Sequence, residues 1–152
     1  YRPNTNKVIN YLIGPFSQQH DVDILSKNKI SIFNNNSYNI ISGKKVLENT
    51  IILIYDFDTK NFSEIFEDTI KANNLISKSQ GVGDFLSDGS IMIEEQNHGR
   101  ILFFNSDGEL EWEYVNKAKN GKVYLLSWSR IINDKNLIEN FKNKLNSTKC
   151  LN

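Results

Sequence analysis

The chain has 152 residues, with 18 basic and 18 acidic side chains and a formal net charge of zero. This length suffices for one domain with a sizeable core, and the charge balance argues against binding to nucleic acid through a basic surface. No apolar run approaches the ~20 residues that span a bilayer, so no membrane span is expected. The single cysteine, Cys150, has no partner for an internal disulfide, and no Cys/His cluster is available for zinc. We therefore expect no metal.

Alternation of apolar and polar residues dominates the sequence and predicts β-strands. In chain order, the predicted strands cover residues 22–25, 30–33, 51–57, 62–66, 90–93, 100–104 and 110–115. Short polar turns separate them, and the Asp-Gly pairs at 88–89 and 107–108 are strong hairpin signals. The pattern predicts an antiparallel meander without parallel βαβ units.

The chain also contains an internal repeat. Residues 23–30 (DILSKNKI) align with residues 84–91 (DFLSDGSI), and a third copy is suggested from residue 130. Outer strands at 7–12, 62–66 and 109–115 complete units of four short strands, the make-up of a propeller blade. A small β-sandwich with similar strands is the alternative, but the joint repetition of register and turn chemistry favours the propeller.

The predicted fold is all-β, a single partial β-propeller domain over residues 1–152. It holds blades at about 19–67 and 79–115, the end of a preceding blade at 1–13 and the start of a following one at 123–141. Because closed propellers typically have four to eight blades, we expect a fragment of a longer protein or a chain that assembles with other copies. For the tail we expect a short strand pair that gives way to a helix after about residue 138, since Asp134 is a possible cap and apolar residues follow at helical spacing.

Three segments resemble the arylsulfotransferase-like propellers. Residues 19–25 (QHDVDIL) followed by 30–35 (ISIFNN) resemble the QHD…FDN-type segment of that family. Residues 99–101 (GRI) and 107–115 (DGELEWEYV) resemble its blade ending, and residues 127–131 (SWSRI) resemble a WSR segment near its C-terminus. Quinoprotein-like propellers share the DG…WEY element, whereas QHD together with WSR is more specific.

This resemblance implies an enzyme that moves a sulfo group from an aryl sulfate to a phenol through a sulfated histidine. It implies no nucleotide donor, no cofactor, a periplasmic location, and further blades or other copies to close the ring. A non-catalytic propeller that binds a ligand or protein partner at its channel face stays open as the alternative, because fold does not decide function. A quinoprotein-like enzyme is disfavoured, since no cofactor-stacking or calcium constellation is visible in the sequence.

His20 is the candidate nucleophile, because it lies where the chain enters the first inner strand, at the expected mouth of the channel. Imidazole is mostly neutral at pH 7 and suits a covalent intermediate. Asp21 or Asp23 would fix its tautomer by accepting the other N–H. The alternative is a structural histidine that ties blades together, but the aligned repeats carry Gly81 and Ser127 at this place.

Five further residues are candidates for substrate binding. The guanidinium groups of Arg130 and Arg100 match sulfate bidentately, with a salt bridge between blades as the alternative. His98 lies in a loop on the same predicted face, where an inert role is the alternative. Asn34 would donate to a sulfate oxygen or belong to an ordinary turn. Trp128 would form an aromatic wall for the phenol or pack in the core.

Overall fold

Two four-stranded antiparallel sheets form the framework of the protein. The computed structural model describes residues 1–39 and 43–148, so Cys150 lies outside the described residues. The first sheet has the order β1-β2-β5-β6 and the second the order β10-β9-β8-β7. The strands of the first sheet are β1 (Gln19–Ser26), β2 (Lys29–Asn34), β5 (Ile51–Asp56) and β6 (Asn61–Ile65). Those of the second sheet are β7 (Val82–Phe85), β8 (Ile91–Glu95), β9 (Arg100–Phe104) and β10 (Leu110–Val115), and a separate hairpin joins β3 (Ser37–Asn39) to β4 (Lys45–Leu47).

These sheets confirm the predicted fold class. Every described strand pair is antiparallel, and the two four-stranded sheets of the described ranges do not close on each other. The arrangement is consistent with a partial propeller. The two Asp-Gly pairs form hairpin turns as predicted, with Gly89 at φ +90° and Gly108 at φ +83°. Glycine adopts this left-handed backbone without steric cost, which explains its place in each turn.

The hydrophobic core lies between the sheets and is built from their central strands together with Ile70, which lies in a short helix after β6, and Leu75, which follows that helix. Its buried members are Phe33, Ile52, Ile70, Leu75, Ile91, Ile93, Leu102 and Phe104. Gly81 lets the chain approach the ring of Phe33, because a Cβ at this position would lie 2.6 Å from Phe33 Cε1. Close packing of this kind tolerates no added methyl group without a shift of the neighbours.

The helix α1 (Glu67–Ala72) follows the outer strand of the first sheet and was not predicted. Ile70 is buried in the core, while the Thr69 hydroxyl donates to the carbonyl of Gly108 at 2.6 Å. This short helix therefore connects the first sheet to the outer turn of the second.

The tail forms helix α2 (Lys135–Ser147), and Asp134 Oδ1 caps it by accepting from Leu137 N at 2.9 Å. The prediction of a helix capped by Asp134 is confirmed, but the helix begins at Lys135 and not after about residue 138, and the predicted strand pair before it was wrong. No strand forms between residues 123 and 134 in the described part of the chain, because the backbone of residues 128–131 bonds to side chains instead of to a partner strand. Among the described residues, no helix has both the length and the apolar character to cross a membrane.

Candidate functional site

His20 occupies a β-bulge at the beginning of the edge strand β1. Gln19 pairs with Asn34 and Asp21 pairs with Phe33, so His20 is the extra residue between two successive pairs. Its side chain is exposed, and no hydrogen bond to the imidazole is present within the described ranges. Bulges re-aim side chains and are enriched next to active sites. The local fold thus presents this imidazole to solvent.

Asp21 connects the two sheets at their inner strands. Its Oδ2 accepts a hydrogen bond from Gly83 N, on β7, at 3.2 Å. The carboxylate of Asp21 therefore links β1 to β7. It makes no hydrogen bond to the imidazole of His20 among the described residues, so it does not fix the tautomer of that ring.

Arg130 lies close enough to Asp23 on β1 for its charge to act on that carboxyl group. Burial raises the pKa of Asp23, the neighbouring charges of Asp21 and Asp84 raise it further, and the positive charge of Arg130 opposes them. Asp84 also accepts a hydrogen bond from Ile131 N at 3.3 Å. The segment that carries Arg130 thus runs beside the inner strand of the second sheet.

The raised pKa of Asp23 predicts that Asp23→Asn stabilises the protein at neutral pH. The folded state binds this proton more tightly than the unfolded chain, so the ionised carboxylate lowers stability above its folded pKa. The gain of Asp23→Asn should shrink as the pH falls through that pKa and vanish below the ordinary value of 3.8. Thermal unfolding of both proteins between pH 3 and 8 tests this, with Asp107→Asn in an exposed turn as control. A variant less stable than the wild type at pH 7 would contradict it.

Trp128 and Arg130 form a cation–π pair. The guanidinium carbon lies 4.8 Å from the centre of the indole ring, and Arg130 Nη1 donates to the carbonyl of Ser129 at 3.1 Å. Arg130 is exposed and Trp128 is 63% exposed. No other hydrogen bond to this guanidinium is present in the described part of the protein, which leaves most of its donors for a ligand.

Glu94 is a buried residue that the sequence reasoning missed. It is fully buried on β8 and accepts hydrogen bonds from Trp128 N at 3.1 Å and Ser129 N at 2.5 Å. A sequence signal did exist, because Glu94 and Glu95 end an otherwise apolar strand where a solvated carboxylate is out of place.

Arg100 and His98 share the carboxylate of Glu95, which is fully buried. Arg100 Nε lies 2.6 Å from Glu95 Oε2, and His98 Nδ1 lies 2.9 Å from Glu95 Oε1. The other guanidinium nitrogens of Arg100 reach Glu113 at 3.3 Å and the carbonyl of Asn73 at 3.2 Å. A salt bridge was the alternative for Arg100, and it forms within one sheet and not between blades.

Asn34 is fully buried at the end of β2. Its Oδ1 accepts from Ser17 N at 2.8 Å and from Asn36 N at 3.2 Å, which shapes the chain before β1. Its Nδ2 has no hydrogen-bond partner among the described residues. Asn34 lies opposite Gln19 in the register, so this donor is near the His20 bulge.

The structure brings the predicted residues together in three groups. Trp128 stacks with Arg130, His98 and Arg100 meet at Glu95, and Asn34 lies across the strand pair from the beginning of β1. No hydrogen bond or ion pair joins these groups to one another within residues 1–39 and 43–148. A group of three or more metal-ligating side chains is likewise absent from those residues.

A family model described as arylsulfotransferase matches residues 1–117, which is most of the chain and includes both sheets. The chain belongs to the arylsulfotransferase family. No curated protein and no solved structure matches it significantly. The arylsulfotransferase match contains His20, Asn34, His98 and Arg100, whereas Trp128 and Arg130 lie beyond its end. The match confirms the predicted family resemblance over residues 1–117, and the WSR segment at 127–131 lies outside it.

Proposed function

We propose that this protein transfers a sulfo group from an aryl sulfate to a phenolic acceptor through a sulfo-histidine at His20. The observation that carries the proposal is the bulge at His20, which exposes an imidazole without hydrogen bonds to the described residues at the beginning of an inner strand. Membership of the arylsulfotransferase family supports the class of reaction.

The proposed reaction has two displacements at sulfur. A lone pair of the His20 imidazole attacks the sulfur of the aryl sulfate, an N–S bond forms, and the S–O bond to the aryl group breaks. The phenolate leaves with the bonding pair and takes a proton from solvent. In the second step the acceptor phenol loses its proton to solvent and its oxygen attacks the sulfur. The N–S bond then breaks and its electron pair returns to the imidazole.

Arg130 is the proposed sulfate-binding residue. Its exposed guanidinium retains N–H donors that match two sulfate oxygens, and positive charge there stabilises the transferring group as negative charge shifts to the phenolate. Trp128 beside it offers aromatic surface to the phenol ring. Asn34 stays a predicted substrate-binding residue, and its Nδ2 is buried without a hydrogen-bond partner among the described residues. His98 and Arg100 stay predicted substrate-binding residues, with Glu95 as a competitor for their N–H groups.

The proposed channel needs further blades, from the parent chain or from other copies. Apolar side chains on β1 are exposed, with Val22 at 53% and Ile24 at 83%. Exposed apolar surface on an edge strand is typical of an interaction site. We therefore propose that a preceding blade covers this face.

Covalent trapping tests the proposed nucleophile. The protein is incubated with 4-nitrophenyl sulfate, quenched and digested with trypsin. We expect the sulfo group on the peptide of residues 8–27, which contains His20, and not on the peptide of residues 79–100, which contains His98. The His98→Gln variant should keep the label and the His20→Gln variant should lose it. Label on His98 would overturn the assignment of His20, and release of no phenol with no labelled histidine would overturn sulfotransfer from this donor.

A further inference from the structure

We infer that Glu94 is a positioning residue, whose buried carboxylate fixes the backbone of Trp128 and Ser129 and thereby the direction of the Arg130 guanidinium. The role given to Arg130 rests on the proposed function. The anchoring of the backbone is a property of the fold and can be tested without any substrate.

The contacts of Glu94 are directed at a segment that has no regular secondary structure. Both carboxylate oxygens are used, one for Trp128 N and the other for Ser129 N. A buried carboxylate needs such donors, because an unpaired charge away from water is costly. Two successive backbone N–H groups that converge on one anion form a nest. The protein fills this nest with its own side chain.

The backbone of Trp128 requires this support. Its φ is +69°, a left-handed conformation that is unfavourable for a bulky residue. Packing does not explain it, because Trp128 is 63% exposed. The charge-assisted hydrogen bonds to Glu94 are the contacts that compensate the strain.

Arg130 takes its direction from the two residues that Glu94 holds. Its guanidinium stacks on the ring of Trp128 and donates to the carbonyl of Ser129. Glu94 is fully buried beneath them, so it acts through Arg130 and does not touch the substrate. Loss of the anchor should let Trp128 leave the left-handed region and turn Arg130 away.

Glu95 provides a matched control on the same strand. It is as deeply buried as Glu94, but its carboxylate accepts from Arg100 Nε and from Ile76 N. A general effect of a buried carboxylate would appear in variants of both residues. An effect of anchoring would appear at Trp128 only when Glu94 is changed.

The experiment uses a Trp112→Phe background, in which Trp128 is the only tryptophan. Glu94→Gln keeps the side-chain volume but presents an amide N–H₂ to one of the two backbone donors. We expect lower fluorescence anisotropy of Trp128 in Glu94→Gln and unchanged anisotropy in Glu95→Gln. With 4-nitrophenyl sulfate, Glu94→Gln should lower kcat/KM about tenfold through both a higher KM and a lower kcat, because the displaced Arg130 binds the sulfate in the ground state and stabilises it further in the transition state. Unchanged anisotropy would overturn the anchoring, and lower anisotropy with unchanged kcat/KM would overturn the positioning of Arg130.

Amide hydrogen exchange of the wild-type protein keeps the inference testable if Glu94→Gln does not fold. The N–H groups of Trp128 and Ser129 should exchange at least about tenfold more slowly than that of Leu125, despite the absence of a strand there. Equal exchange rates would overturn the anchoring. A wild-type protein without turnover would refute the proposed function, while anisotropy and exchange would still decide whether Glu94 holds this segment.

Discussion

Replacing Glu95 with alanine is expected to lower the free energy of unfolding by about 3 kcal/mol. The substitution removes a fully buried carboxylate and leaves the Nε donor of Arg100 and the backbone N–H of Ile76 without their acceptor. Arg100 is only 21% exposed, so water replaces the lost bonds poorly. Urea denaturation at pH 7, followed by circular dichroism, measures the loss.

Glu113→Ala is the control for this prediction. Glu113 also contacts Arg100, but at 3.3 Å and with 39% of its side chain exposed, so its loss should cost less than about 1 kcal/mol. Equal losses in the two variants would show that burial of the Glu95–Arg100 pair adds nothing to stability. The comparison also tells whether Arg100 acts mainly as a structural partner of Glu95.

His20→Ala is expected to lower the release of phenol from an aryl sulfate at least about 10³-fold, because the proposed reaction has no path without its nucleophile. Stability should change by less than about 0.5 kcal/mol, since the side chain is exposed and makes no hydrogen bond to the described residues. Phenol release under initial-rate conditions and thermal unfolding measure the two effects.

Imidazole added to His20→Ala sharpens the test, because it can replace the missing nucleophile in solution. Partial recovery of phenol release with imidazole is expected. His98→Ala serves as the control at the other histidine and should retain the sulfo-enzyme intermediate. Turnover by His20→Ala at the wild-type rate would remove His20 from the mechanism.

The strands could be predicted because their signal is local. Alternating β-branched and aromatic residues bounded by short polar turns recur along the chain, and the seven strands predicted from them are present, whereas the outer strand predicted at 7–12 does not form. The strand pair before α2 was wrong because the decisive contacts are distant. Glu94 and Asp84 take up the N–H groups of residues 128–131, and alternation in the sequence does not reveal such partners.

Part of the candidate site could likewise be predicted from the local sequence, and part depends on distant contacts. His20 was found from its motif, but its bulge depends on the register between β1 and β2, which no local pattern fixes. Glu94 and Glu95 were missed because glutamate is almost always exposed unless it is paired. The partners of Glu94 lie more than 30 residues further along the chain, so the apolar strand indicates its burial but no local pattern identifies those partners.

The two sheets are joined at both their inner and outer edges. Asp21 on β1 accepts from Gly83 on β7, and Thr69 in α1 donates to Gly108 beyond β9. Because these two hydrogen bonds join the sheets at opposite edges, one sheet cannot rotate away from the other about either edge alone. The pair should therefore open as one cooperative unit, and the amides of β2 and β8 should share a single free energy of exchange.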